Sequence, residues 1–163
     1  MEKRGYNKTM KILFVCTGNT CRSPMAQKLA ELYLPGECEV FSAGINAMAN
    51  EQASLQAIEV LKEKGMDLSG HRSVRLEDEM LKAADYVFTM TRSQEAYVSN
   101  LFPQYREKVK ALGPWLGSGG DILDPWGGSV EVYRRCREEL EAMLKALALR
   151  LQDLDKHSFP DRK

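Results

Sequence analysis

The chain has 163 residues, 44% of them hydrophobic, which suits one domain with a sizeable core. Lysine plus arginine and aspartate plus glutamate number 23 each, so there is no general field to gather nucleic acid or anionic membrane, and any bound anion must be gripped locally. No apolar run approaches the roughly 20 residues that span a bilayer, the basic-then-apolar start is too short for a signal peptide, and the four cysteines, with no CxxC pair, read as cytoplasmic thiols.

Residues 1–9 are polar and unpatterned and read as an extension, disordered or non-native, outside a single domain over 10–154. "KILFVCT" (11–17) is a continuous apolar run with β-branched and aromatic residues, the pattern of a strand buried on both faces. Gly18 and Asn19 end it. Ser23 and Pro24 follow as an N-cap and a first-position proline, opening a helix that runs to Pro35 and Gly36. "EVFSAG" (39–44) predicts a second strand, and the spacing of Ala53, Ala57, Ile58 and Leu61 a helix over 50–64 closed by Gly65. A helix over 74–84, a strand over 85–90, a short helix stopped by Pro103 and a fourth strand over 108–113 come next. A loop rich in glycine precedes a final helix over 129–154, apolar at Val132, Cys136, Leu140, Met143, Leu147 and Leu151. Residues 155–163 read as a flexible tail. Strands alternating with helices imply an α/β fold with a parallel sheet covered on both faces, and such sheets bind ligands beyond the carboxyl ends of their strands.

Gly18 to Cys21 lies at such an end. Cys16 and Arg22 form a Cys-x5-Arg pattern in which a strand, a glycine-containing loop and a helix start follow one another. That order brings a ring of backbone N–H groups to the positive end of a helix, where a phosphate dianion fits. Arg22 can hold two phosphate oxygens with its planar fork. Cys16, at the bottom of the ring, shares the dipoles and the guanidinium, which favour the nucleophilic thiolate. A thiolate attacking phosphorus needs its leaving group protonated and water later activated, and one carboxylic acid can do both. Asp124, in "ILDPWGG", is the candidate, although an aspartate before Pro125 also suits a simple turn.

"VCTGNTCRSPMA", with "SAG" (42–44), "GHRS" (70–73) and "DPWGG" (124–128), resembles the signature of the low-molecular-weight protein tyrosine phosphatases over residues 10–154. The resemblance implies a three-layer sandwich with a four-stranded parallel sheet, a phosphocysteine intermediate, and neither metal nor cofactor. It implies Cys16, Arg22 and Asp124 as catalytic residues and Thr17, Gly18, Asn19, Thr20, Cys21 and Arg22 as the phosphate-binding loop. Asn19, Ser23, Ser42 and His71 become the hydrogen-bond network that supports this loop, although His71 read alone is a solvated loop histidine. Ser23 would also donate to the Cys16 sulfur.

Relatives that act on phosphotyrosine usually carry a bulkier aliphatic residue at the position of Thr20. The subgroup with threonine there resembles bacterial protein arginine phosphatases. A threonine hydroxyl can pair the polar guanidine of phosphoarginine, which an isoleucine would leave unsatisfied. Trp126 would form an aromatic wall, and Gly127 replaces a second aromatic residue found in many tyrosine phosphatases. Phosphorylated proteins are the implied partners of a monomer, with phosphotyrosine the alternative substrate. The resemblance also supports a reversible Cys16–Cys21 disulfide as a redox off-state, against the plainer reading of Cys21 as a small residue packed behind the loop. A thiol-coupled arsenate reductase would share the cradle but needs further cysteines, and residues 85–112 contain none. A silent phosphate-binding module would have no use for Cys16, Arg22 and Asp124 together.

Overall fold

The computed structural model describes residues 9–117 and 119–158. The expected N-terminal extension, apart from Thr9, lies outside that range, as does the end of the expected tail. Strand β1 (Met10–Cys16) pairs in parallel with β2 (Cys38–Gly44) on one side and β3 (Tyr86–Thr89) on the other. Strand β4 (Val109–Ala111) extends the sheet beyond β3, giving the order β2-β1-β3-β4.

The sheet is covered on both faces because β1 is apolar at every inner position. Ile12, Phe14 and Cys16 enter one core with helices α1 (Arg22–Tyr33), α2 (Leu55–Lys62) and α6 (Val130–Ser158). Leu13 and Val15 enter a second core with α3 (Asp78–Ala83) and α4 (Arg92–Leu101). A short 3-10 helix (Pro103–Lys108) leads into β4, and α5 (Leu112–Leu116), which the sequence reading does not contain, follows it directly. The chain leaves β1 toward β2 and then returns to the far side of β1 for β3. The carboxyl end of β1 is therefore the point where the strand order reverses, and a crevice opens there.

Several boundaries differ from expectation for identifiable reasons. Helix α1 begins at Arg22 after Cys21, so Ser23 lies inside the helix and is not its N-cap. Pro24 still falls in the first turn, where a missing N–H costs nothing. Helix α2 starts late, capped by the Ser54 side chain, which accepts from the Ala57 N–H at 3.3 Å. The expected helix over 74–84 survives only as α3. Its first residues are claimed elsewhere: Gly44 N–H donates to the Val74 carbonyl and Leu76 N–H to the Gly44 carbonyl, both at 2.9 Å. On α6 the inner stripe contains Tyr133, with 1% of its surface exposed, while Val132 is 41% exposed. The same helix continues through Lys156 to Ser158, four residues past the expected end, so the tail does not begin at 155. Among the described residues no helix is long and apolar enough to cross a membrane.

Gly44 ends β2 where it meets the loop after β1. A Cβ there would lie 2.7 Å from the Thr17 carbonyl oxygen and 2.8 Å from the Asn19 nitrogen, backbone atoms that cannot move aside cheaply. Gly44→Ala is expected to lower unfolding stability by about 2 kcal/mol, and a urea titration of the purified variant checks it. A loss below about 0.5 kcal/mol would mean that the loop yields readily there.

Candidate active site

The loop from Cys16 to Arg22 is held by turning its carbonyls outward. Ile45 N–H donates to the Cys16 carbonyl, Asn46 N–H to Thr17 and Ser54 N–H to Thr20, each at 2.9 Å. The Asn19 carbonyl accepts from His71 Nε2 at 2.8 Å. With those oxygens occupied outside, the N–H groups between them are left to face the crevice. Asn19 makes the turn with a left-handed φ of 55°, a conformation that asparagine tolerates better than most residues.

Asn19 is fully buried and uses every polar group it has. Its Nδ2 donates to Ser23 Oγ at 2.8 Å and to Ser42 Oγ at 2.9 Å, and its Oδ1 accepts from Val74 N–H at 2.9 Å. The Ser42 hydroxyl in turn donates to Gln27 Oε1 at 2.7 Å. The Asn19 backbone N–H donates to Cys16 Sγ at 3.3 Å, and Ser23 Oγ lies 2.9 Å from the same sulfur. The expected network of Asn19, Ser23, Ser42 and His71 is thus physically assembled, with Val74 and Gln27 as members the sequence did not reveal.

Arg22 is also buried. Its Nη1 donates to the Ile122 carbonyl at 2.9 Å, and its Nη2 stands 3.6 Å from Asp124 Oδ2. Its Nε has no hydrogen-bond partner among the described residues. The edge formed by Nε and Nη2 therefore keeps two parallel donors available. Asp124 makes the turn expected of an aspartate before Pro125 and also faces the cleft. Its Oδ1 accepts from the Trp126 backbone N–H at 3.1 Å, forming a turn, while Oδ2 faces Arg22.

These residues line one cleft of about 460 Å³, with Cys16, Thr17, Gly18, Thr20, Cys21 and Arg22 at its floor. Asn46, Met48 and Glu51 line it from one segment, and Asp124 and Trp126 from another. Of these, Asn46, Met48 and Glu51 were missed by sequence reasoning. Behind the loop, Cys21 Sγ lies 3.2 Å from the Tyr133 hydroxyl and 3.7 Å from Ser54 Oγ and from Thr20 Oγ1. Burial raises the Tyr133 hydroxyl well above its usual value. Tyr133 also escaped the sequence reading, yet its spacing with Cys136 and Leu140 marks it as an inner residue of α6. Cys16 and Cys21 are both free thiols. Cys136, on the apolar stripe expected of the last helix, is buried on α6, and that burial pushes its thiol up to about 12. Among the described residues no group of three His, Cys, Asp or Glu side chains is placed to hold a metal.

Residues 11–158 match the low molecular weight phosphotyrosine protein phosphatase family. The chain belongs to that family. The phosphatase is 47% identical over 144 residues to a protein-arginine-phosphatase of Geobacillus stearothermophilus, covering 87% of this chain and 96% of the relative. It is 34% identical to the low molecular weight protein-tyrosine-phosphatase Etp of Escherichia coli K12, covering 88% and 96% of the two chains. Its fold superposes with a TM-score of 0.84 on YwlE arginine phosphatase, at 43% identity over 88% of this chain and 96% of that one. That relative is a cysteine-to-serine mutant whose active-site serine is phosphorylated.

Burial lowers the His71 pKa below its ordinary 6.5, partly opposed by the hydrogen bond to the Asn19 carbonyl. The unfolded phosphatase therefore takes up this proton more readily than the folded one. The contribution of His71 to stability is complete above pH 6.5 and is lost as pH falls through the lower folded pKa. His71→Gln, which can still donate to Asn19, is expected to flatten the fall in urea midpoint between about pH 7.5 and 5.5. An unchanged slope in the variant would assign that pH dependence to other groups.

Proposed function

We propose that this phosphatase removes phosphate from arginine side chains of proteins through a phosphocysteine. The observation that carries the reading is the position of Cys16 Sγ beneath inward-facing N–H groups, with Asn19 N–H and the Ser23 hydroxyl at the sulfur and Asp124 across the cleft.

The Cys16 thiolate attacks phosphorus in line with the departing guanidine nitrogen. Loop N–H groups take the phosphate oxygens, joined by Nε and Nη2 of Arg22, while Nη1 stays on the Ile122 carbonyl. Asp124 gives its proton to the leaving nitrogen from Oδ2, its turn bond on Oδ1 remaining intact. The resulting carboxylate then draws a proton from water, which attacks phosphorus and returns Cys16 to the thiolate. Ser23 and Asn19 N–H stabilise that departing sulfur. The relative with a phosphorylated serine in place of its active-site cysteine supports the covalent route.

Thr20 supports arginine as the substrate. It lines the cleft, and among the described residues its hydroxyl makes only a long 3.7 Å contact with Cys21 Sγ, leaving its oxygen to meet a guanidine N–H. The relatives named arginine phosphatases at 47% and 44% identity support the same choice. Phosphotyrosine is the second reading, favoured by the Trp126 ring, 76% exposed at the mouth of the cleft, where an aromatic leaving group could stack.

Matched phosphoarginine and phosphotyrosine peptides decide between them. Wild type is expected to prefer phosphoarginine, and Thr20→Ile to move the ratio of kcat/KM toward phosphotyrosine. A wild-type preference for phosphotyrosine would sink the arginine assignment. On whichever peptide is the better substrate, Asp124→Asn is expected to reduce kcat roughly a hundredfold or more, and a near-normal kcat would remove Asp124 from the proton transfers.

A further inference from the structure

The floor and the rim of the cleft have opposite polarity. At the floor stand loop N–H groups, the start of α1 and the buried Arg22 guanidinium, all suited to an anion. The charged residues on the walls are both acidic, Asp124 on one side and Glu51 on the other. They are not equivalent. Asp124 is engaged by the Trp126 N–H and faces Arg22. Glu51 is exposed, and its carboxylate has no hydrogen-bond or ion-pair partner among the described residues.

The backbone beneath Glu51 is fixed. Its N–H donates to Ser73 Oγ at 2.9 Å, and its carbonyl accepts from Ser73 N–H at 2.8 Å. Asn50, in the left-handed region at φ 65°, donates its N–H to the Ser73 carbonyl at 3.0 Å. Three residues on, Ser54 N–H is bonded to the Thr20 carbonyl of the loop itself. The carboxylate thus swings from an anchored base beside the cleft. A negative charge so placed opposes an approaching dianion unless the same substrate carries a cation to meet it.

We propose that Glu51 is a specificity-determining residue that favours substrates with a lysine or arginine beside the phosphorylated side chain. The proposal rests on the reading of the cradle as a site for protein-borne phosphate. Glu51 stands at the exposed rim, so it meets the neighbouring residue of the substrate and leaves the phosphate to Arg22. The guanidinium of a phosphorylated arginine is the other source of positive charge, and the test separates the two.

Phosphoarginine and phosphotyrosine peptides would each be made with lysine or with glutamate flanking the modified residue. kcat/KM would be measured for wild type, Glu51→Gln and Glu51→Lys, each normalised to its own rate on para-nitrophenyl phosphate. Wild type is expected to favour the lysine-flanked peptide roughly threefold, the size of one exposed ion pair. The difference should lie mainly in KM and shrink in high salt. Glu51→Gln should abolish it and Glu51→Lys reverse it. Retention of the full preference in Glu51→Gln overturns the proposal. So does indifference to the flanks combined with a selective loss on phosphoarginine in Glu51→Gln, which would place Glu51 on the modified guanidinium itself. The lysine-to-glutamate ratio is read on both peptide series, so a failure of the arginine assignment leaves this outcome legible.

Discussion

A loop that holds an anion with its backbone must send its carbonyls the other way, and each of them then needs a partner. In this phosphatase that requirement organises everything around β1. The carbonyls of Cys16, Thr17, Asn19 and Thr20 are taken up by Ile45, Asn46, His71 and Ser54. Those partners come from the segments after β2 and before α3, so the sheet and its connections exist partly to bring them within reach. Asn19 is the joint. It supplies the left-handed turn, a donor to the Cys16 sulfur and three further side-chain bonds to Ser23, Ser42 and Val74. An apolar replacement would strand several buried donors and acceptors at once, each costly in a low-dielectric interior.

The same geometry divides the work of the site between layers. Cys16 and Arg22 sit on the rigid junction of β1 and α1, both nearly inaccessible. Asp124 and Trp126 come from the chain before α6, where the side chains are exposed and the backbone is held by a turn. A buried floor around Cys16 and Arg22 and a more open rim follow from this division. The rim is also where the chain shows Met48, 70% exposed, and Glu51, which is unpaired among the described residues.

How much of this was legible depends on where the information resides. Strand β1 could be read because burial on both faces leaves a continuous apolar run, and the loop because Cys16, Gly18, Asn19 and Arg22 are local. Asp124, singled out through its motif, lines the same cleft as Cys16 and Arg22. Ser23 was misassigned as a cap because serine before proline is a strong local signal, whereas its hydroxyl is drawn to Cys16 and Asn19. The helix expected from residue 74 failed because Asn19 and Gly44, far away in sequence, claim the backbone of Val74. Helix α5 was hidden because its first residues, Leu112 and Gly113, were assigned to the strand expected over 108–113, which ends at Ala111. Tyr133 was lost to a one-residue shift of the α6 stripe. Contacts such as Ile45 N–H to Cys16 leave no mark on side-chain identity, so no pattern of residues announces them.

The outward-turned carbonyls also limit how portable the motif is. Grafted between a strand and a helix of another protein, "VCTGNTCRSP" would bring its thiol and guanidinium but leave its carbonyls and the Asn19 side chain without partners. The transferable unit is larger: the loop, the end of β2 with Gly44, the segment to Ser54 and the strap from His71 to Leu76. A designer who copied only the ten residues would inherit the chemistry's ingredients without the mould that shapes them.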